Sequence, residues 1–333
     1  MTDRKHDDHS IGAGGDTAGT VPEWASMFVP EEWAWFVATL AADLEGRGMT
    51  HRFDMDAGCV HVEVSGPVPN VLGLQNIAQV CRTRTRDAWA KAIANHFDVA
   101  FDAKDGAAAE ELAKDWARAK SYVKLRLYRE EHLPSVPLVT WRIADGLVAV
   151  LTFDLPDTVI SVRRPDRDAW PVDDEELYAI ALENIQAEGP LQSNEVDVGD
   201  RATIHVLEGG TTFFAASHAL FLDDYLGDRG NDYGAVIAIP QRHVVLYHPI
   251  EDLRVVNAIQ SMLVTAANMF ADGPGSISPD LYWLPPADAD DDDDEGDLLV
   301  RLPCERTDDA LRFMPPPAFV ELLSSLDPPP ESD

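Results

Sequence analysis

The sequence predicts an α+β fold: a mainly helical N-terminal segment with a hairpin, followed by antiparallel strand pairs with packed helices. Three observations predict it. Apolar residues recur at helical spacing through most of residues 30–130. After Pro134 and Pro137 the pattern changes to short apolar or β-branched runs separated by turn residues. Between these runs lie amphipathic stretches of helix length.

Residues 1–20 are polar and Gly-rich, and are expected to be a disordered tail. Pro30-Glu31-Glu32 opens a helix, with acids where the helix dipole favours them. Trp33, Phe36, Val37, Leu40 and Leu44 form its inner stripe, and Gly46 and Gly48 end it. Residues 51–64 read as a hairpin around Asp56-Ala57-Gly58. Residues 71–97 and 107–130 read as two further helical stretches. Leu147–Phe153 is a strand, Pro156-Asp157 its turn and Thr158–Val162 the return. A helix starts at Asp173 and carries Leu177, Ile180, Ala181 and Ile185.

The strand–strand–helix order then recurs. Ala202–Leu207 and Thr211–Phe214 are expected to pair, with a helix over 216–226. Gly234–Ile239 and Val244–Tyr247 are expected to pair, with an amphipathic helix over 252–270. Leu281–Leu284 and Leu298–Leu302 flank an acidic loop over 288–297, and a short helix is expected at 318–326. Four regions follow: the tail over 1–20, the helical segment with hairpin over 21–135, an α+β core over 136–285, and the loop, strand and Pro-rich tail over 286–333.

Charge and cysteine usage bound the partners. With 26 basic and 59 acidic residues the net charge is −33. That field repels phosphate backbones and anionic bilayers, so neither nucleic acid nor membrane is an expected partner, whereas a basic protein is. Cys59, Cys81 and Cys304 form no C-x-x-C, and no secretory signal is visible at the N-terminus. A reducing, cytoplasmic setting is expected.

No cofactor motif appears: a Rossmann fingerprint, a Walker loop, H-E-x-x-H and G-x-S-x-G are all missing. The ten histidines show no metal-ligand spacing, and no metal site is expected. The contiguous acids of 288–297 lack EF-hand spacing and read as a solvated loop. Arg82-Thr-Arg-Thr-Arg86 is the densest basic spot, and reads as a solvated helix face more readily than as an anion clamp. The tryptophans lie mostly inside helix or strand patterns and read as core and rim residues rather than a ligand cage. The weak catalytic candidates are His218, Arg242 and His243. His248 is five residues beyond His243, which places it on the opposite strand face.

Leu155-Pro-Asp-Thr-Val159, Asp173–Leu177 with Ala181 and Asn184, and Ala235–Pro240 followed by Val244-Val-Leu246 are similar to the YtpQ-like family of bacterial proteins. The resemblance covers about residues 140–270. It implies kinship of fold and brings no reaction. Two departures stand out, Ala215-Ala216-Ser217 and His243, at positions where the family pattern carries an Asp.

The expected function is therefore a non-enzymatic acidic interaction module. The alternatives are a hydrolase-type enzyme with a site near His218, Arg242 and His243, and an immunity or inhibitor protein that masks a basic partner.

Overall fold

A computed structural model describes residues 20–326, apart from 57, 64–70, 102, 135, 157, 200–201, 211, 228–231, 274, 287–296 and 307–310. The expected disordered tail and nearly all of the acidic loop lie outside the described residues. The fold class is α+β, as the sequence predicts.

Helix α1 (Pro30–Gly46) starts with Pro30 in its first turn, where a missing N–H costs nothing. Strands β1 (His51–Asp54) and β2 (Cys59–Val62) form the expected hairpin, and β3 (Val71–Gly73) adds to its far edge. The turn depends on Gly58, at φ +63°, where an added Cβ would sit 3.2 Å from the Trp24 ring. Trp24 Nε1–H also donates to the Met55 carbonyl at 2.6 Å.

The single helix expected over 71–97 is corrected to β3, α2 (Gln75–Arg82) and α3 (Trp89–Ala100). The break falls at Thr83–Thr85, inside the basic run. Arg82 and Arg84 are exposed there, and Arg86 pairs with Glu31 at 3.0 Å and lies over the Trp35 ring. The run thus lies on an exposed surface. Phe28, Trp33, Phe36 and Trp89 pack ring on ring beneath it, in a core that ends near Phe101.

The helix expected over 107–130 is corrected as well. It divides into α4 (Ala103–Ala113), the single turn α5 (Trp116–Ala119) and strand β4 (Val123–Arg129). Val123, Leu125 and Leu127 point into the large core, while Arg126 and Tyr128 face the other way. That is the period-2 alternation of a strand. β4 pairs along its whole length with β6 (Leu147–Asp154), whose other edge holds β5 (Thr140–Ala144) and β7 (Val159–Ser161). β6 is apolar on both faces because both are covered, and seven of its eight residues are buried.

After the one-turn α6 (Arg164–Arg167), α7 (Asp174–Gln186) is capped by Asp173, whose carboxylate accepts from Glu176 N at 2.8 Å. Such a cap contributes ~1 kcal/mol. β8 (Gln192–Asp197), which the sequence reading did not anticipate, pairs with β9 (Thr203–Glu208). The return strand expected at Thr211–Phe214 is corrected to a turn leading into a 3-10 segment, Ala215–Phe221, and the one-turn α8 (Asp223–Leu226). Gly209 permits the close approach of this segment, since a Cβ on it would fall 2.1 Å from that of Ala215.

β10 (Ala235–Gln241) and β11 (Val244–Pro249) form the centre of a six-stranded antiparallel sheet. α9 (Val255–Asp272) crosses its outer face, and β12 (Leu281–Leu284) and β13 (Val300–Leu302) complete it as the expected pair. β14 (Cys304–Arg306) and β15 (Leu311–Phe313) form a small ribbon, and α10 (Pro317–Ser325) places Phe319 against the rings of Trp283 and Phe313. One sheet face, through Ala235, Ile237 and Ile239, joins the core shared with β4, β6 and α7. The other, through Val236 and Ala238, packs on α9. No helix among the described residues is long and apolar enough to cross a membrane.

Candidate functional site: an arginine-lined cleft

The N-terminal module and the β4 side of the larger core meet along a cleft of about 240 Å³. One wall is the hairpin and α2, through Asp54, Cys59, His61, Gly73 and Gln79. The other is β4, with Arg126 and Tyr128, and the β10–β11 connection, with Arg242. Gln79 ties the walls together. Its Nε2 donates to Ser276 Oγ at 2.6 Å and its Oε1 accepts from Gly275 N at 3.1 Å.

Arg242 is held from several sides. Its backbone N–H donates to the Gly275 carbonyl at 2.9 Å, and its carbonyl accepts from Ala216 N at 3.1 Å. Its Nε–H donates to His243 Nε2 at 2.9 Å. The guanidinium lies 5.5 Å from the centre of the Phe213 ring, and Arg126 approaches the same ring at 6.0 Å. Gly275, at φ +83°, lies flat against this side chain.

The electrostatics are unusual for so acidic a chain. Among the described residues neither Arg126 nor Arg242 has a carboxylate partner within ion-pair distance. Burial first and the Arg126 charge second pull the Arg242 pKa down to about 10, with Tyr128 acting in the opposite sense. A neighbouring cavity of about 360 Å³ provides the contrast. Its Arg301 is paired with Asp145 at 3.1 Å and with Asp280 at 3.0 Å.

Of the candidates read from the sequence, Arg242 lines the cleft and His243 supports it from behind. His243 Nδ1–H donates to the Thr212 carbonyl at 3.1 Å, leaving Nε2 as the acceptor for Arg242. Burial and then the Arg242 charge lower the pKa of this ring. His218 lies elsewhere, in the core beside Phe221 and Tyr225. Tyr225 Oη accepts from Leu191 N, so its hydrogen is free for His218 Nδ1 at 2.7 Å. His218 Nε2 has no partner among the described residues, and burial pulls the imidazole pKa down to about 4. His248 belongs to β11 and donates to the Thr203 carbonyl at 2.7 Å. The structure thus brings Arg242 and His243 together and leaves His218 and His248 outside the cleft lining.

No family model, curated protein or solved structure matches the chain. The residues behind the YtpQ-like resemblance have structural tasks here. Asp173 caps α7, and Asn184 Nδ2–H groups donate to the Lys120 and Val123 carbonyls at 2.8 Å.

Sequence reasoning missed Arg126, Cys59, His61 and Asp54. Cys59 Sγ and His61 Nε2 are 3.8 Å apart on the cleft face of β2, and Asp54 is the cross-strand neighbour of Cys59.

Proposed function

We propose that the protein binds a small phosphate-bearing ligand in the cleft, with Arg126 and Arg242 as the anion-holding groups. The observation that carries this reading is a pair of arginines with no carboxylate partner among the described residues, in a chain where acids outnumber bases by 59 to 26. Two guanidiniums placed near each other without acids repel, and a doubly charged anion between them relieves that repulsion. Guanidinium forks match phosphate oxygens in geometry as well as charge. A cavity of about 240 Å³ suits a small ligand rather than a polymer.

The hydrolase alternative shares Arg242 and His243 with this reading, in a holding rather than a proton-transfer role. The acidic-module and inhibitor readings rest on the overall charge, and the acidic loop that concentrates it lies outside the described residues. Kinship with YtpQ-like proteins remains part of the proposal at the level of fold only.

Calorimetric titration with inorganic phosphate and with phenyl phosphate tests the reading. Binding that Arg126→Ala or Arg242→Ala each weakens at least about tenfold supports it. Binding unaffected by both substitutions, or none at millimolar ligand, overturns it.

A further inference from the structure

The wall opposite the arginines carries a second chemistry. β2 alternates, with Val60 and Val62 buried in the N-terminal core, so Cys59 and His61 both face the cleft. The β1–β2 register sets Asp54 directly across from Cys59. The other neighbour of Cys59 is Gly73, where an added Cβ would meet nothing within 4 Å. One ligand atom from each of Asp54, Cys59 and His61 lies within 4.8 Å of the other two.

We propose that Asp54, Cys59 and His61 bind a divalent transition-metal ion, with zinc the best match. A tetrahedral zinc ion with a thiolate and an imidazole nitrogen separates those two ligand atoms by ~3.6 Å. Cys59 Sγ and His61 Nε2 are 3.8 Å apart. One carboxylate oxygen of Asp54 lies within 4.8 Å of both atoms, within reach of the third position. The mixed sulfur–nitrogen–oxygen set selects zinc over calcium or magnesium, which take oxygen ligands. Three protein ligands leave a fourth position, which faces the cleft and is open to water or a ligand oxygen.

Charge balance agrees. On binding, the Cys59 thiol gives its proton to solvent, so thiolate and carboxylate together offset the two charges of the ion. The site stands independently of the anion-binding reading, because the arginines belong to the other wall.

Cobalt(II) titration of the full chain under reducing conditions tests the proposal. The expected result is a thiolate-to-cobalt charge-transfer band saturating at one equivalent and displaced by zinc. Imidazoles and carboxylates elsewhere produce no such band. Cys59→Ser removes it, Cys81→Ser and Cys304→Ser keep it, and His61→Ala and Asp54→Asn each weaken cobalt binding at least about tenfold. Zinc also protects Cys59 of the unaltered chain from alkylation, a readout that needs no variant to fold. Absence of the band at saturating cobalt, a band that survives Cys59→Ser, or no protection by zinc overturns the proposal. Arg126→Ala and Arg242→Ala keep the band, so a failure of phosphate binding and a failure of metal binding are read separately.

Discussion

Arg242 donates its Nε–H to Nε2 of His243, the next residue in the chain, at 2.9 Å. The other ring nitrogen is committed to the Thr212 carbonyl, so the imidazole works as a fixed acceptor. The Arg242 side chain lines the cleft. Replacing His243 with Ala removes one hydrogen bond to a charged group, worth about 1.5 kcal/mol or more. We expect phosphate affinity to fall about tenfold, with the unfolding midpoint in urea lowered only slightly. Titration calorimetry and urea unfolding on the same variant separate the two effects.

Gly275 offers a test of the same cleft from its floor. A Cβ added there would lie 2.7 Å from Arg242 Cδ, and the backbone is held at φ +83°. Gly275→Ala must therefore both strain the backbone and push Arg242 aside. Phosphate binding should be lost while the far-ultraviolet circular dichroism remains that of the parent. Gly48→Ala, also at positive φ but with nothing within 4 Å, is the control for backbone strain alone. Equal phosphate affinity in the two variants would contradict the packing account.

Lys124 is the polar residue buried deepest on β4. Its ammonium lies between Asp154, at 2.6 Å, and Glu188, and over the Phe214 ring. Burial pulls its pKa down, but the hydrogen bonds to both carboxylates outweigh this and raise it. Lys124→Ala leaves the two acids facing each other and opens space above Phe214. A loss of about 2 kcal/mol in urea unfolding is expected, less than for a wholly buried pair because both acids reach solvent. Lys124→Met keeps the contact with Phe214 and should lose less.

Much of the fold was legible because its strands are short and carry turn residues at their ends. β6, β10, β11 and β12 fall where apolar runs predicted them. β4 escaped because Val123, Leu125 and Leu127 follow directly on an Ala- and Glu-rich helical run, with only a few residues between. Reading that segment as helix hid Arg126, which period-2 alternation would have set opposite the core. The cleft itself was out of reach, since Arg126 and Arg242 meet only after β4 and the β10–β11 connection are brought together. The hairpin was legible, and with it a signal that went unused. Once Val60 and Val62 face inward, Cys59 and His61 must share the other face, and the turn sets Asp54 beside them.

His218 provides the pH dependence. Its pKa in the folded protein is about 4, against an ordinary value near 6.5 when unfolded, because burial disfavours the charged ring. Between these two values the unfolded chain binds a proton that the folded chain does not. Stability is therefore fully present above about pH 7 and falls as pH drops through 6.5 towards 4, by up to ~3 kcal/mol. His96, His132, His243 and His248 are shifted in the same direction and add to the slope. Replacing His218 with Leu removes its share. It also removes the orphaned Nε2 and the acceptor for Tyr225, effects that leave the pH slope untouched. Urea unfolding at pH 7.5 and 5.0 should show a smaller difference for His218→Leu than for the parent chain. An unchanged difference would mean that the imidazole accepts its proton without unfolding.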